Sequence, residues 1–213
     1  MAELSAFQHP RFARMYERIS SESEQRGTAE QRDRALAGLS GRVIEVGAGN
    51  GLSFGHYPDT VTEVLAVEPE DRLRALAEQA AAHAPIPVRV VAGHAEALPV
   101  EDGSVDAAVD SLVLCSVPDV AAALAEIRRV LRPGGELRFF EHVRSEKLWF
   151  GLLQDAITPL WSRMGGGCHP NRDTTAAIRA AGFDIERLDR FSYAPLRFFP
   201  KHSHILGSAR AAQ

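Results

Sequence analysis

Apolar residues along most of the chain fall into short β-branched runs separated by Ala- and Leu-rich stretches, and this alternation predicts strands and helices in turn. Strands are expected at 42–46, 63–67, 88–92, 105–110 and 135–141, with a last pair at 184–191 and 202–209. Helices are expected at 51–56, 70–83, 119–131 and 171–181. Strand-helix repetition with right-handed crossovers gives an α/β fold, a mostly parallel seven-stranded sheet with helices on both faces. The chain before Ser40-Gly41 reads differently. Phe7, Phe12, Met15, Tyr16 and Ile19 sit among Arg and Glu at helical spacing, so residues 1–40 are expected to form an N-terminal helical lid on a single core spanning 41–213. Between 144 and 170 the apolar residues again have helical spacing, which suits core packing for most of them and a substrate wall for Trp149. This segment ends in Gly165-Gly166-Gly167, a run that permits a hinge. Phe198, Phe199 and Pro200 read either as a hairpin or as a hydrophobic rim.

The 213 residues are 45% hydrophobic and 24% charged, enough for one compact enzyme domain with a substantial core. A formal charge of −4 gives the surface no general attraction for polyanions, so nucleic acid is not an expected partner. No uninterrupted apolar run reaches 18 residues and no secretory signal pattern precedes residue 40, so integral membrane association is not expected and the cytoplasm is. Cys115 and Cys168 are the only cysteines, which argues against a disulfide-stapled fold. Cys168-His169 has no third and fourth ligand at a zinc-site spacing, so no metal is expected. The oligomeric state, monomer or homodimer, is open at this level.

The first strand runs into Glu45-Val46-Gly47-Ala48-Gly49-Asn50-Gly51. Glycines at alternate positions let the backbone turn sharply and bring its N–H groups close to a ligand. Glu68-Pro69 closes the second strand, and an acid there suits a ribose diol. The G-x-G-x-G spacing departs from the dinucleotide pattern G-x-G-x-x-G, and Glu45 before the loop would repel a pyrophosphate while favouring an ammonium or sulfonium. S-adenosyl-L-methionine carries both cations.

Five segments in order resemble the class I S-adenosylmethionine-dependent methyltransferases: Glu45 to Gly51, Val67-Glu68-Pro69, Gly93 to Pro99, Gly103 to Val109, and Ile127 to Gly135. The resemblance implies a Rossmann-like methyltransferase fold and S-adenosylmethionine as cofactor, leaving as S-adenosylhomocysteine. It implies cofactor contacts from Glu45, Gly47, Ala48, Gly49, Gly51, Glu68, Pro69, Ala95, Glu96, Ser111 and Leu112. His94 stands where the family commonly has an acid, and reads equally as an adenine contact or a surface turn. Cys115 reads as packing. At the tip of the fifth strand, His142 suits removal of a proton and Glu141 suits orienting it or binding substrate, because adjacent strand residues face opposite sides and only one would line a cavity. A helix cap or surface histidine is the alternative for His142.

A narrower similarity runs through Ser111 to Val117, Arg128 to Gly135, Glu141-His142-Val143, Cys168, Arg172, Thr174, His204 and Gly207. These residues resemble the alkyl thiol S-methyltransferases, which implies a small thiol or dithiol acceptor, such as a natural product, with Tyr16, Ser116, Trp149, Cys168 and Arg172 near it. Lipid-anchored members begin with an apolar segment that this sequence does not show, so a soluble acceptor is expected. A thiol with a pKa of about 8.5 is already partly ionised near neutrality, so little base is needed. An O-, N- or C-methyltransferase acting on a quinone, phospholipid headgroup or other metabolite is the alternative.

Overall fold

The computed structural model describes residues 4–197 and 199–211; Phe198 of the expected hairpin or rim lies outside them. One sheet runs through the molecule in the order β3-β2-β1-β4-β5-β7-β6. Its strands are β1 (Gly41–Val46), β2 (Val61–Val67), β3 (Val88–Val91), β4 (Val105–Ser111), β5 (Leu131–His142), β6 (Phe183–Tyr193) and β7 (His202–Ala211). Strands β1 to β5 are parallel, and β7 is antiparallel to both of its neighbours. From β1 the chain steps outward through β2 and β3, then restarts on the other side with β4. That reversal opens a crevice beyond the carboxyl ends of β1 and β4.

The helices are α1 (Pro10–Ser23), α2 (Ala29–Leu36), α3 (Asp71–Ala81), α4 (Val120–Val130), α5 (Leu148–Met164) and α6 (Thr174–Ala180). One sheet face, with Ile44, Val46, Leu65 and Ala108, packs against α4 and α6 through Leu124, Ile127 and Ile178. Val43, Val64, Ala107 and Val109 meet Leu36, Leu39 and Ala77 on the other face. Burial on both faces explains why the central strands read as continuous apolar runs rather than alternating ones. Acidic side chains start three helices: Glu70 accepts from the Leu73 N–H at 2.8 Å, Asp119 from Ala122 at 3.0 Å and Asp173 from Ala176 at 3.0 Å.

Two expectations are corrected. Residues 51–56 hold only one short turn of 3-10 helix, Phe54–His56, because Gly55 and the nearby Pro58 give the segment no helical support. In α5 the polar face is the buried one. Gln154 and Thr158 are buried, Gln154 accepting the Ser145 N–H at 2.7 Å and donating to the carbonyls of Val143 and Pro170 at 3.2 and 2.9 Å. Trp149, Leu153 and Leu160 face outward, Trp149 with 67% of its surface exposed, so neither core nor substrate wall describes it. Helical spacing identified the stripe and not the direction it faces.

The chain turns between α1 and α2 at a wide turn, Glu24–Thr28, where Gly27 takes a φ of 115°. Both helices lie against the crevice side of the core. Gln8 Nε2 donates to the Pro69 carbonyl at 2.7 Å, Asn50 Nδ2 donates to Ser20 Oγ at 3.1 Å, and Arg32 donates to Ser53 Oγ at 2.8 Å.

Strand β7 is wedged between β5 and β6, and Gly207 sits where all three come closest. A Cβ there would meet the Arg187 carbonyl and lie 2.6 Å from Phe139 Cζ. Gly207→Ala is expected to lower stability by about 1–3 kcal/mol through overpacking, read as a lower urea midpoint at unchanged slope.

Candidate functional site

The carboxyl ends of β1, β2 and β4, roofed by α1, enclose a cavity of about 480 Å³. Its size lies within the range of small-molecule sites. At one end are Glu68, Pro69, Leu73, His94 and Ala95; at the other are Ser111 to Val113, Ser116, Gly166-Gly167 and His169, with Phe12 and Tyr16 of α1 above.

The glycine loop shows why glycine is needed at its first position. Gly47 has a φ of 68°, and a Cβ on it would lie 2.5 Å from Val113 Cγ2, so a side chain would collide with the wall across the cavity. Gly49, φ 57°, turns its N–H onto Glu68 Oε2 at 2.8 Å, while the Glu70 N–H donates to Oε1 at 2.9 Å. Burial nevertheless dominates these two bonds and lifts the Glu68 carboxyl to about 7.

Beyond β4 the chain folds around a second acid. Glu141, fully buried, accepts the N–H groups of Val113 (2.6 Å), Leu114 (3.0 Å) and Cys115 (2.8 Å). Leu112 is forced to a φ of 62°, a conformation rare outside glycine and a mark of the tension in this turn. Burial and the adjacent Glu141 charge push the neighbouring Asp110 carboxyl well above its usual range.

Several residues expected at the site stand elsewhere. Glu45 points to the opposite face of β1, where it accepts from Tyr57 Oη at 3.0 Å and feels the Arg32 charge; it does not border the cavity. Strand alternation is the reason, since Ile44 and Val46 occupy the other side. Glu141 is spent on the turn after β4, and the Glu96 carboxylate accepts the Asp119 N–H at 2.7 Å. Arg172 donates to the Leu114 carbonyl at 2.6 Å, bracing the same turn from behind. Ala48, Gly51 and Trp149 also lie off the cavity, whereas Gly47, Gly49, Glu68, Pro69, Ala95, Ser111, Leu112, Tyr16 and Ser116 line it.

His142 and Cys168 lie behind the wall. His142 Nδ1 is 3.7 Å from Cys115 Sγ and 3.6 Å from Cys168 Sγ, and the two sulfurs are 3.7 Å apart. The sulfur–sulfur contact with Cys115, opposed by burial and aided by the His142 charge, holds the Cys168 thiol well below its ordinary value, while the same contact together with burial pushes Cys115 up. Burial works against a charge on His142, yet the Cys168 sulfur raises it overall. No spacing rule joins Cys115, His142 and Cys168, so this grouping was invisible in the sequence.

The cavity is also lined by His94 and His169, the first of them with the N-terminal Phe7. Phe7 stacks on His94 with ring centroids 4.5 Å apart, and His94 Nδ1 is buried without a partner. His169 Nδ1 meets the Gly167 carbonyl at 2.6 Å, which assigns the proton to Nδ1 and leaves Nε2 as an acceptor. The only sequence signal for His169 is its place two residues beyond the glycine run, in a Cys168-His169 pair that lacks further ligands at a zinc-site spacing.

Comparison with known proteins agrees with this geometry. A family described as methyltransferase domain matches residues 44–139. Human thiol S-methyltransferase TMT1B is 35% identical over 182 residues, 83% of this chain and 74% of its own length. Human thiol S-methyltransferase TMT1A is 36% identical over 182 residues, 82% and 73% of the two chains. Among solved structures, a possible histamine N-methyltransferase from Thermotoga maritima superposes with a TM-score of 0.72 at 24% identity, covering 94% of this chain and 96% of that one. This last likeness concerns the fold alone.

The raised Glu68 carboxyl has a consequence for ligand binding. A ribose that donates to Glu68 prefers the ionised form, which the free protein gains as pH rises through about 7. Affinity for S-adenosylhomocysteine, measured by calorimetry from pH 5.5 to 8, is therefore expected to fall towards tenfold per unit below about 7 and to level off above it. Glu68→Gln should bind more weakly and flatten that dependence.

Proposed function

Because the chain belongs to the S-adenosylmethionine-dependent methyltransferase family, we propose that it transfers the cofactor's methyl group to the sulfur of a small-molecule thiol or dithiol. The observation that carries this reading is the 35–36% identity to two thiol S-methyltransferases over more than four-fifths of the chain. The shape of the cavity supports it. In this reading Glu68 accepts the ribose hydroxyls, Gly47 and Gly49 let the cofactor approach the backbone, and adenine lies by Ala95 and the unpaired His94 Nδ1. The methionine part runs along Ser111 and Leu112. Residues 1–40 act as a lid, with Tyr16 and Phe12 over the junction between cofactor and acceptor.

The acceptor occupies the end walled by Ser116, Gly167 and His169. Its sulfur attacks the sulfonium methyl in line. A new carbon–sulfur bond forms as the old one breaks, and the electron pair of the broken bond stays on the departing S-adenosylhomocysteine sulfur. The acceptor's proton passes to His169 Nε2, which is oriented by the bond from Nδ1 to Gly167. Thiols need little help with that proton, so holding the two sulfurs and the methyl in line supplies most of the rate.

Two measurements test this. With methyl-labelled S-adenosylmethionine and a panel of small thiols, phenols and amines, label is expected on the thiols; label on phenols or amines alone would overturn the sulfur assignment. His169→Ala is expected to lower kcat by about tenfold to a hundredfold while leaving affinity for S-adenosylhomocysteine within about twofold, the lower end of general-base effects because the nucleophile is acidic.

A further inference from the structure

We propose that Cys115, His142 and Cys168 form a binding site for a thiophilic divalent cation, with zinc as the natural test ion, that fastens the two segments walling the acceptor end of the cavity, the turn after β4 and the glycine run after α5, to the end of β5. The donor atoms are two sulfurs and one imidazole nitrogen, a set that also occurs in zinc enzymes with an open coordination position. A tetrahedral zinc with Zn–S of about 2.3 Å and Zn–N of about 2.0–2.1 Å sets its sulfurs about 3.75 Å apart and each sulfur about 3.5 Å from the nitrogen. The observed edges are 3.7 Å between sulfurs and 3.6 and 3.7 Å from sulfur to Nδ1.

The equality of the three edges is the argument. A chain of hydrogen bonds through thiol, thiol and imidazole needs only two short edges and leaves the third free to open. Three nearly equal edges match the triangle of donor atoms around a shared central atom.

The surroundings favour the same reading. Cys115 comes from the turn after β4, His142 from the end of β5, and Cys168 from the glycine run between α5 and α6. Backbone contacts hold all three in place: Glu141 accepts the Cys115 N–H at 2.8 Å, the Cys115 carbonyl accepts the His169 N–H at 2.7 Å, the Cys168 N–H donates to Gly165 at 3.1 Å, and His142 pairs with His204 across β5 and β7. Both cysteines are buried. A metal-bound imidazole has its other N–H to give away, and conserving its orientation requires an acceptor. The neighbouring ring has a free lone pair: His204, with its centroid 4.6 Å from that of His142, has a buried Nε2 that makes no hydrogen bond, its Nδ1 meeting the His202 carbonyl at 3.0 Å.

Binding exchanges two thiol protons for one dication, so two thiolates, a neutral imidazole and the cation carry no net charge. A buried site of zero net charge avoids the cost of an isolated ion. Three protein ligands leave a fourth corner for water or another small ligand. The inference does not depend on which acceptor the enzyme methylates.

The test uses the full chain, reduced, stripped with a chelator and titrated with Co²⁺ in place of zinc. One equivalent per chain is expected, with thiolate-to-cobalt charge-transfer absorption and intense tetrahedral d–d bands, both displaced by one equivalent of Zn²⁺. Cys115→Ser and Cys168→Ser should each abolish the charge-transfer band or cut it by about half, and weaken Zn²⁺ binding by more than about a hundredfold, beyond what loss of an outer partner does. A cobalt complex of the unsubstituted chain without sulfur charge transfer would overturn the proposal, as would binding that persists unchanged in both serine variants or no stoichiometric binding at all. Because the spectrum of the unsubstituted chain is decisive by itself, a variant that fails to fold does not rescue the idea.

Discussion

A single buried carboxylate organises the reactive end of this molecule. Strand β4 ends at the sheet's reversal point, and a chain leaving such a strand must either enter a helix or find other partners for its N–H groups. Here Glu141, one strand over, takes three successive N–H groups, from Val113, Leu114 and Cys115. The turn so formed supplies the cavity floor at Ser111 to Val113, sets Val113 against Gly47, and delivers the Cys115 sulfur to its partners. Replacing this anchor with an apolar side chain would leave three buried donors to be satisfied at once, each costing about 1–3 kcal/mol. Burial and the Glu141 charge push the Asp110 carboxyl beside it well above its usual range, since two charges at this depth are costly.

The same constraint explains how much could be read from the sequence. The sheet, its order of strands and helices, and the glycine loop with Glu68 were legible because each depends on local spacing: β-branched runs, caps, and an acid about 20 residues beyond the first glycine. Glu45 was misread by treating all residues near the loop as neighbours of the ligand, although alternation along β1 sends it to the Tyr57 side. The acid at 141 was seen to be important, but a carboxylate that binds substrate and one that binds backbone look alike in a sequence. Which of the two it is depends on where residues 113–115 come to rest, and that is a tertiary fact. For α5 the failure is of another kind. Gln154 and Thr158 form the buried face because they satisfy backbone groups of Val143, Ser145 and Pro170, so polar pairing rather than hydrophobicity chooses the side that faces inward.

Charge at the crevice is arranged by depth rather than by amount. Arg32, buried, donates to Glu24 at 3.1 Å and to Ser53 at 2.8 Å, and it is felt by Glu45 below and by Tyr16 above. One cation thus ties α1, α2 and the base of the glycine loop together without entering the cavity. Glu68, by contrast, borders the cavity with its carboxyl lifted to about 7 by burial, the kind of perturbation that clusters at ligand sites.

These two modes of attachment imply different costs of movement. Only Ala13 and Ser20 of α1 are buried, and the helix meets the core through contacts such as the exposed Glu17–Arg72 pair at 2.9 Å and the Gln8 bond to Pro69. Pairs of this exposed kind contribute from nothing to about 1 kcal/mol each. Helix α2 is anchored instead by Leu36 in the core and by Arg138, which donates to the carbonyls of Ala35 and Ala37 at 3.3 and 3.0 Å. With Gly27 at a φ of 115° between them, the joint falls where a firmly held helix gives way to a loosely held one. Local opening draws on the segment with the fewest buried apolar contacts, so α1, carrying Phe12 and Tyr16 across the cavity, is the part of the roof whose displacement costs least. The floor built on Glu141 is the part whose displacement costs most. The cavity therefore has a firmly braced base and a loosely held cover, because its floor is anchored by buried backbone bonds and its roof by exposed pairs.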